Sequence, residues 1–243
     1  MDGLILIDKP IGITSHDAVD RVRVIAKTRR VGHAGTLDPF ASGLLIIGIN
    51  KGTKALTNLV GLDKTYEATA CLGKTSTTDD PEGEVSERQG WCRDPAAREQ
   101  RCPEDEKDAH LLPAPNDIEM VLDRFRGTYL QTAPAFSAKK VGGKKLYDLA
   151  RKGKLEGIEL PKKEVTITDL AIIQYAWPEL TFRVTCSSGT YIRALARDVG
   201  EALVCGAYLT ALRRTAIGTY GINHAIPLAE LDMHTLQKQL LPL

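Results

Sequence analysis

The stretch GHAGTLDPFASGLL, residues 32–45, runs straight into the apolar series Leu44, Leu45, Ile46, Ile47, so a glycine-punctuated loop stands immediately before a buried strand. Gly32 and Gly35 free the backbone ahead of Asp38, Pro39 restricts it just behind, and Gly43 opens the strand. Any fold of this chain must therefore carry an acid on a loop that feeds a buried strand. Loops present reactive groups while their own backbone stays solvated. Asp-Pro is also an ordinary turn initiator, and from this window alone the plain turn is the stronger reading.

Period and punctuation predict the other elements. Gly3 to Asp8 is a short apolar run ending at Lys9-Pro10, a strand entering a turn. A helix follows, capped by Thr14 or Ser15, with Ala18, Val22, Ile25 and Ala26 on one face and Arg21, Arg23 and Lys27 on the other. Leu44 to Ile49 is a central strand, Lys51 to Val60 a short helix, and Lys64 to Leu72 a strand with Tyr66 near its start. Lys74 to Asn116 reads as a polar, acidic surface excursion. Ile118 to Arg126 is an amphipathic helix ending at Gly127. Val165 to Tyr175 and Leu180 to Cys186 form a strand pair turning at Trp177-Pro178. Ile192, Leu195, Ala196, Val199 and Leu203 make the apolar stripe of a further helix, with Arg193 and Arg197 at its edge.

With 243 residues, 43% hydrophobic and 26% charged, the chain can bury a sizeable core as one large domain or two small ones. No apolar run approaches the roughly 20 residues that span a bilayer, and the amino terminus lacks a charged, then apolar, then small-residue leader. We therefore expect a cytoplasmic protein with no membrane partner. Cys71, Cys92, Cys102, Cys186 and Cys205 are odd in number and have no close-spaced ligand pattern, as suits reduced thiols. Cys92, Cys102 and His110 lie near one another in sequence, but without a CxxC pair no metal site is expected.

The net charge of +1 hides a segregation: residues 79–108 carry −6, while residues 139–154 carry seven Lys or Arg against one Asp. Counterion release on nucleic acid needs a local basic surface rather than a basic total.

Several windows together resemble the TruB family of pseudouridine synthases, in the family's order. They are LIDKPIGITSHD at 6–17, the loop at 32–45, KTYEATACLGKTSTTDDPEGE at 64–84, APAFSAKKVGGKKLYDLAR at 133–151, and SSGTYIRALARDVGEAL with YLTALRR between 187 and 214. The resemblance covers nearly all of the chain except about 87–115. It implies an α+β fold with a mixed, largely antiparallel sheet, helices around it and a catalytic cleft across its middle. One catalytic domain would span 1–243, with an acidic variable insert at about 86–115 and a basic thumb at about 134–156 that folds over a tRNA stem.

By the same resemblance Asp38 is the catalytic carboxylate, Tyr66 the active-site tyrosine, and Arg193 the arginine that pairs with the nucleophile. His33 fills the space left by a flipped base and Leu212 lies beneath the target base. Lys9, Arg29, Arg30, Arg213 and the thumb residues Lys139, Lys140, Lys144 and Lys145 are expected to contact substrate. The implied reaction is conversion of uridine to pseudouridine in the T arm of tRNA, at position 55, by a monomer with no cofactor, no metal and no guide RNA. The alternatives are a guide-RNA-dependent synthase subunit and a non-catalytic tRNA-binding or tRNA-folding protein on the same scaffold. Many bacterial members carry a C-terminal PUA module; the 23 residues after Tyr220 cannot form one, as expected of a short branch or a trimmed chain.

Overall fold

A computed structural model describes residues 1–88, 112–137, 139–155 and 157–242, apart from the side chains of Lys140 and Lys145. Most of the acidic insert, with Cys92, Cys102 and His110, lies outside the described residues. The chain resolves into two compact units, one of Met1–Glu67, Thr185–Ser188 and Ala211–Leu243, the other of Ala68–Val184 and Gly189–Thr210.

The first unit is built on β1 (Gly3–Lys9) and β3 (Ser42–Ile49), antiparallel, with Ile5 opposite Ile47 and Ile7 opposite Leu45. Successive strand side chains point to opposite faces, and here both faces are covered. Ile5, Ile7, Leu45, Ile47 and Ile49 pack with Ala18, Val19 and Val22 of α1 (Ser15–Ala26) and with Leu236 of α6 (Met233–Gln239). Leu4, Leu6, Leu44 and Ile46 pack with Leu56 and Leu59 of α2 (Gly52–Val60). A strand buried on two sides has no polar parity, which is why the sequence runs show no alternation.

Thr14 caps α1, its hydroxyl accepting from the Asp17 amide while Asp17 accepts from the Thr14 amide, a reciprocal capping box. Strand β2 (Val31–His33) pairs with β3, and β13 (Ile226–Pro227) runs parallel to β1. On the far side of β3 lies β12 (Ala207–Ile217), parallel, with Arg214 beside Gly43. Gly43 has φ +107, and a Cβ there would sit 2.3 Å from the Arg214 carbonyl oxygen, so only glycine permits this approach. Next come β4 (Lys64–Leu72) and β11 (Glu179–Cys186).

Strands β4, β11 and β12 each continue into the second unit, where the order extends to β10 (Lys162–Ala176) and β7 (Gly127–Thr132). β7 and β10 are antiparallel, with Val165 opposite Tyr129. In this unit α3 (Pro115–Asp123) packs against β10, and α5 (Ile192–Ala202) against β7 and α3. Helix α3 starts earlier than its apolar stripe because Pro115 occupies its first turn and Asp117 bonds the Ala114 amide.

The excursion expected from Lys74 onward instead begins as a hairpin, β5 (Lys74–Ser76) with β6 (Val85–Glu87), whose connecting turn buries Ser76 and Asp80. Polar composition misleads there because the buried groups have partners. The thumb-like segment holds β8 (Lys140–Val141) and β9 (Lys144–Lys145), joined through left-handed Gly142 and Gly143, then α4 (Leu146–Arg151). The mixed, largely antiparallel sheet with flanking helices makes the fold α+β, as expected. Among the described residues, no helix is long and apolar enough to cross a membrane.

Candidate active site

Asp38 sits half-buried on a loop held from three directions. The Ser15 hydroxyl, at the start of α1, accepts from the Leu37 amide at 2.8 Å and donates to the Leu37 carbonyl at 3.1 Å. The Gly12 amide donates to the Pro39 carbonyl at 2.8 Å, and the Ala34 amide to the Ile46 carbonyl at 2.9 Å. Arg214 supplies the third hold. Only 1% exposed, it donates from Nε to the Leu44 carbonyl at 2.7 Å and from its terminal nitrogens to the carbonyls of Gly35 at 3.1 Å and Thr36 at 3.5 Å. A planar guanidinium can serve several carbonyls at once, which a lysine ammonium on a flexible stem does less rigidly. These contacts set the acid's position before any ligand arrives, the condition for efficient chemistry.

Tyr66, on β4, is buried, and its side chain shares a hydrogen bond with Arg214. Burial pushes its phenol above the ordinary value; Arg214 opposes this, and Cys186 and Asp38 add to it. The phenol is therefore neutral and protonated at physiological pH. His33 is half-buried at the end of β2, and burial, with Arg214 and His16 adding to it, holds its imidazole below the usual range. It is thus mainly neutral near pH 7. Leu212 is buried on β12.

Lys9 departs from expectation. Its side chain is 0% exposed, and Nζ donates to the carbonyls of Pro10 and Ile13, each at 2.8 Å. Burial lowers its pKa to about 8, partly offset by Asp38. This ammonium closes the turn ahead of α1 and is not exposed for a phosphate, so its place is structural. Arg213 donates two bonds to Asp8, at 2.6 and 3.2 Å, with its side chain 41% exposed. Arg29, Arg30, Lys139 and Lys144 are exposed.

Arg193 lies in the second unit, on α5, and is 6% exposed. Its Nη1 is 3.1 Å from Asp80 Oδ2 and donates to the Thr78 carbonyl at 2.8 Å; Nη2 donates to the Phe136 carbonyl at 3.2 Å. Asp80, 3% exposed, also accepts from the Thr78 hydroxyl at 2.5 Å and the Glu82 amide at 3.0 Å. A buried carboxylate so fully bonded orients the guanidinium it faces. Asp80 and Arg214 were not among the expected site residues. For Arg214 a signal existed, since it shares strand parity with buried Leu212. For Asp80 the local sequence held none.

Residues 23–192 match the model of the TruB family pseudouridylate synthase N-terminal domain, and residues 193–243 that of the tRNA pseudouridylate synthase B C-terminal domain. The chain is 43% identical over 235 residues to a tRNA pseudouridine synthase B of Burkholderia mallei, covering 97% of this chain and 70% of that one. It is 44% identical over 238 residues to the tRNA pseudouridine synthase B of Thermobifida fusca, covering 95% and 74%. Among solved structures, a chain of an H/ACA ribonucleoprotein bound to a substrate RNA containing 2'-deoxyuridine superposes with a TM-score of 0.65 at 25% identity. That match covers 98% of this chain, which spans 55% of the ribonucleoprotein chain.

Proposed function

Because the chain belongs to the TruB family of pseudouridylate synthases, we propose that it isomerises uridine to pseudouridine in the T arm of tRNA, at position 55, with Asp38 as the catalytic carboxylate. It acts in the cytoplasm as a monomer, without guide RNA. The observation that carries the assignment to Asp38 is the loop itself, tied to α1 through Ser15 and to the sheet through Arg214.

The reaction breaks the bond between uracil N1 and ribose C1′, turns the base, and joins C5 to C1′; C5 loses a proton and N1 gains one. The target base is stacked in the folded T loop and must first be everted, at a cost of a few kcal/mol that stacking and edge hydrogen bonds offset. Asp38, as an anion, starts the exchange. By the family resemblance Arg193 is assigned as its charge partner. Tyr66 stacks on the uracil, and its uncharged phenol keeps a proton available beside the ring. Leu212 closes the apolar side. His33 fills the vacated place in the T loop, for which a neutral imidazole is suited because it stacks without a buried charge. The thumb lysines Lys139, Lys140, Lys144 and Lys145 grip the stem backbone.

Asp38→Ala is expected to abolish tritium release from 5-tritiated uridine in a T-arm hairpin while leaving hairpin affinity within several-fold. Release near the wild-type rate would remove Asp38 from the mechanism. Conversion of a bare hairpin by the purified protein, mapped by carbodiimide-blocked primer extension, separates this reading from a guide-dependent one.

A further inference from the structure

We propose that Asp79 and Arg197 form a positioning pair that sets the orientation of Arg193 and ties it to the root of the thumb; the proposal rests on the reading that Arg193 is the charge partner of the catalytic carboxylate. Arg193 and Arg197 stand four residues apart on α5 and so lie one above the other. Each takes one carboxylate from the turn after β5 and one carbonyl from the chain that leads from β7 into the thumb. For Arg193 these are Asp80 at 3.1 Å and Phe136 O at 3.2 Å. For Arg197 they are Asp79 at 3.1 Å and Thr132 O at 3.0 Å. Asp198 accepts two further bonds from Arg197, at 2.8 and 3.0 Å.

The backbone makes this ladder possible. Adjacent residues in extended chain point to opposite sides, yet Asp79 and Asp80 both meet arginines of the same helix. Asp79 adopts the left-handed conformation, φ 61, which breaks that alternation. Its amide donates to the Ser76 carbonyl and its own carbonyl accepts from the Leu209 amide, both at 3.1 Å. Gln131, also buried, adds a third clamp between the same segments, its side chain bonding both the amide and the carbonyl of Tyr191.

Asp79 is also poised to titrate. Burial raises it to about 6, against the pull of Arg197 and Arg193, while Asp198 and Asp80 push in the same direction as burial. Above that pH the carboxylate is charged and the ladder has both rungs. Below it Asp79 is neutral, Arg197 is left to Asp198 and Thr132, and Arg193 loses its support from the second rung.

Asp79→Asn is the chosen variant because asparagine tolerates left-handed backbone and keeps the shape while removing the charge. With a T-arm hairpin as substrate, kcat at pH 7.5 is expected to fall roughly ten-fold, as for a displacement of a fraction of an ångström at the reacting groups. KM should stay within two-fold, and the acid limb of kcat near pH 6 should vanish. Independently of turnover, the Arg193 side-chain NMR resonance, assigned with Arg193→Lys, should titrate near pH 6 in the wild type and not in Asp79→Asn. Arg197→Gln provides the second variant: kcat should fall similarly, and because the guanidinium that opposes burial is gone, the acid limb and the Arg193 titration should move above pH 6. Wild-type kcat and an intact acid limb in either folded variant, or an Arg193 resonance identical to wild type from pH 5 to 8, would overturn the proposal. A wild-type protein that makes no pseudouridine sinks the enzymatic reading instead, and the resonance then still decides the coupling.

Discussion

Arg213 and Arg214 are chain neighbours in opposite surroundings, and lysine substitution at each separates packing from charge. Arg214 serves the carbonyls of Leu44, Gly35 and Thr36 from a site that is 1% exposed. A lysine ammonium keeps the charge but reaches at most one of those carbonyls in good geometry. A buried polar group deprived of its partner costs ~1–3 kcal/mol, so Arg214→Lys, which strips two, should destabilise the protein by about 2–6 kcal/mol. Arg213 bonds Asp8 from a side chain that is 41% exposed. There solvent screens the pair and a lysine can still approach the carboxylate, so Arg213→Lys should cost under about 1 kcal/mol. Urea unfolding at pH 7 reads both. With a slope of about 2 kcal/mol/M, the midpoint of Arg214→Lys falls by roughly 1–3 M and that of Arg213→Lys by less than about 0.5 M. Equal shifts in the two variants, with unchanged slopes, would refute the claim that Arg214 fastens the Asp38 loop.

Two further outcomes are expected. The native state releases the Lys9 proton at about pH 8, whereas the unfolded chain holds it to about 10.4; between those values the unfolded state binds more protons, so stability rises with pH. The cost of burying the charge is thus fully present below pH 8 and relieved as pH climbs. Lys9→Met should remove that contribution, and urea midpoints of the two proteins that run parallel from pH 7 to 10.5 would contradict it. Neutralising Lys139, Lys140, Lys144 and Lys145 together should weaken hairpin binding and flatten its logarithmic salt dependence by roughly 0.7–0.9 for each RNA phosphate that these lysines neutralise in the wild type. An unchanged slope would place the RNA backbone elsewhere.

Some of this protein was legible in its residues alone. The capping box at Thr14 and Asp17, the apolar runs of β1 and β3, the Trp177-Pro178 turn and the stripe of α5 are written in neighbours a few positions apart, and the elements formed close to where period and punctuation predict them. The Asp38 loop was legible for the same reason, since Gly43 and Pro39 constrain backbone locally whatever surrounds them. What only the tertiary structure decided is which polar groups lose their water. Lys9 and Arg214 look like solvated cations in sequence, yet the turn carbonyls of one and the pairing of β12 with Gly43 for the other draw them fully inside. Asp80 stands in an acidic, proline-containing stretch that composition assigns to the surface, and Arg193, brought up by a helix far along the chain, buries it. Burial of a charge depends on the partner that satisfies it, and that partner is chosen by long-range pairing, which no local window contains.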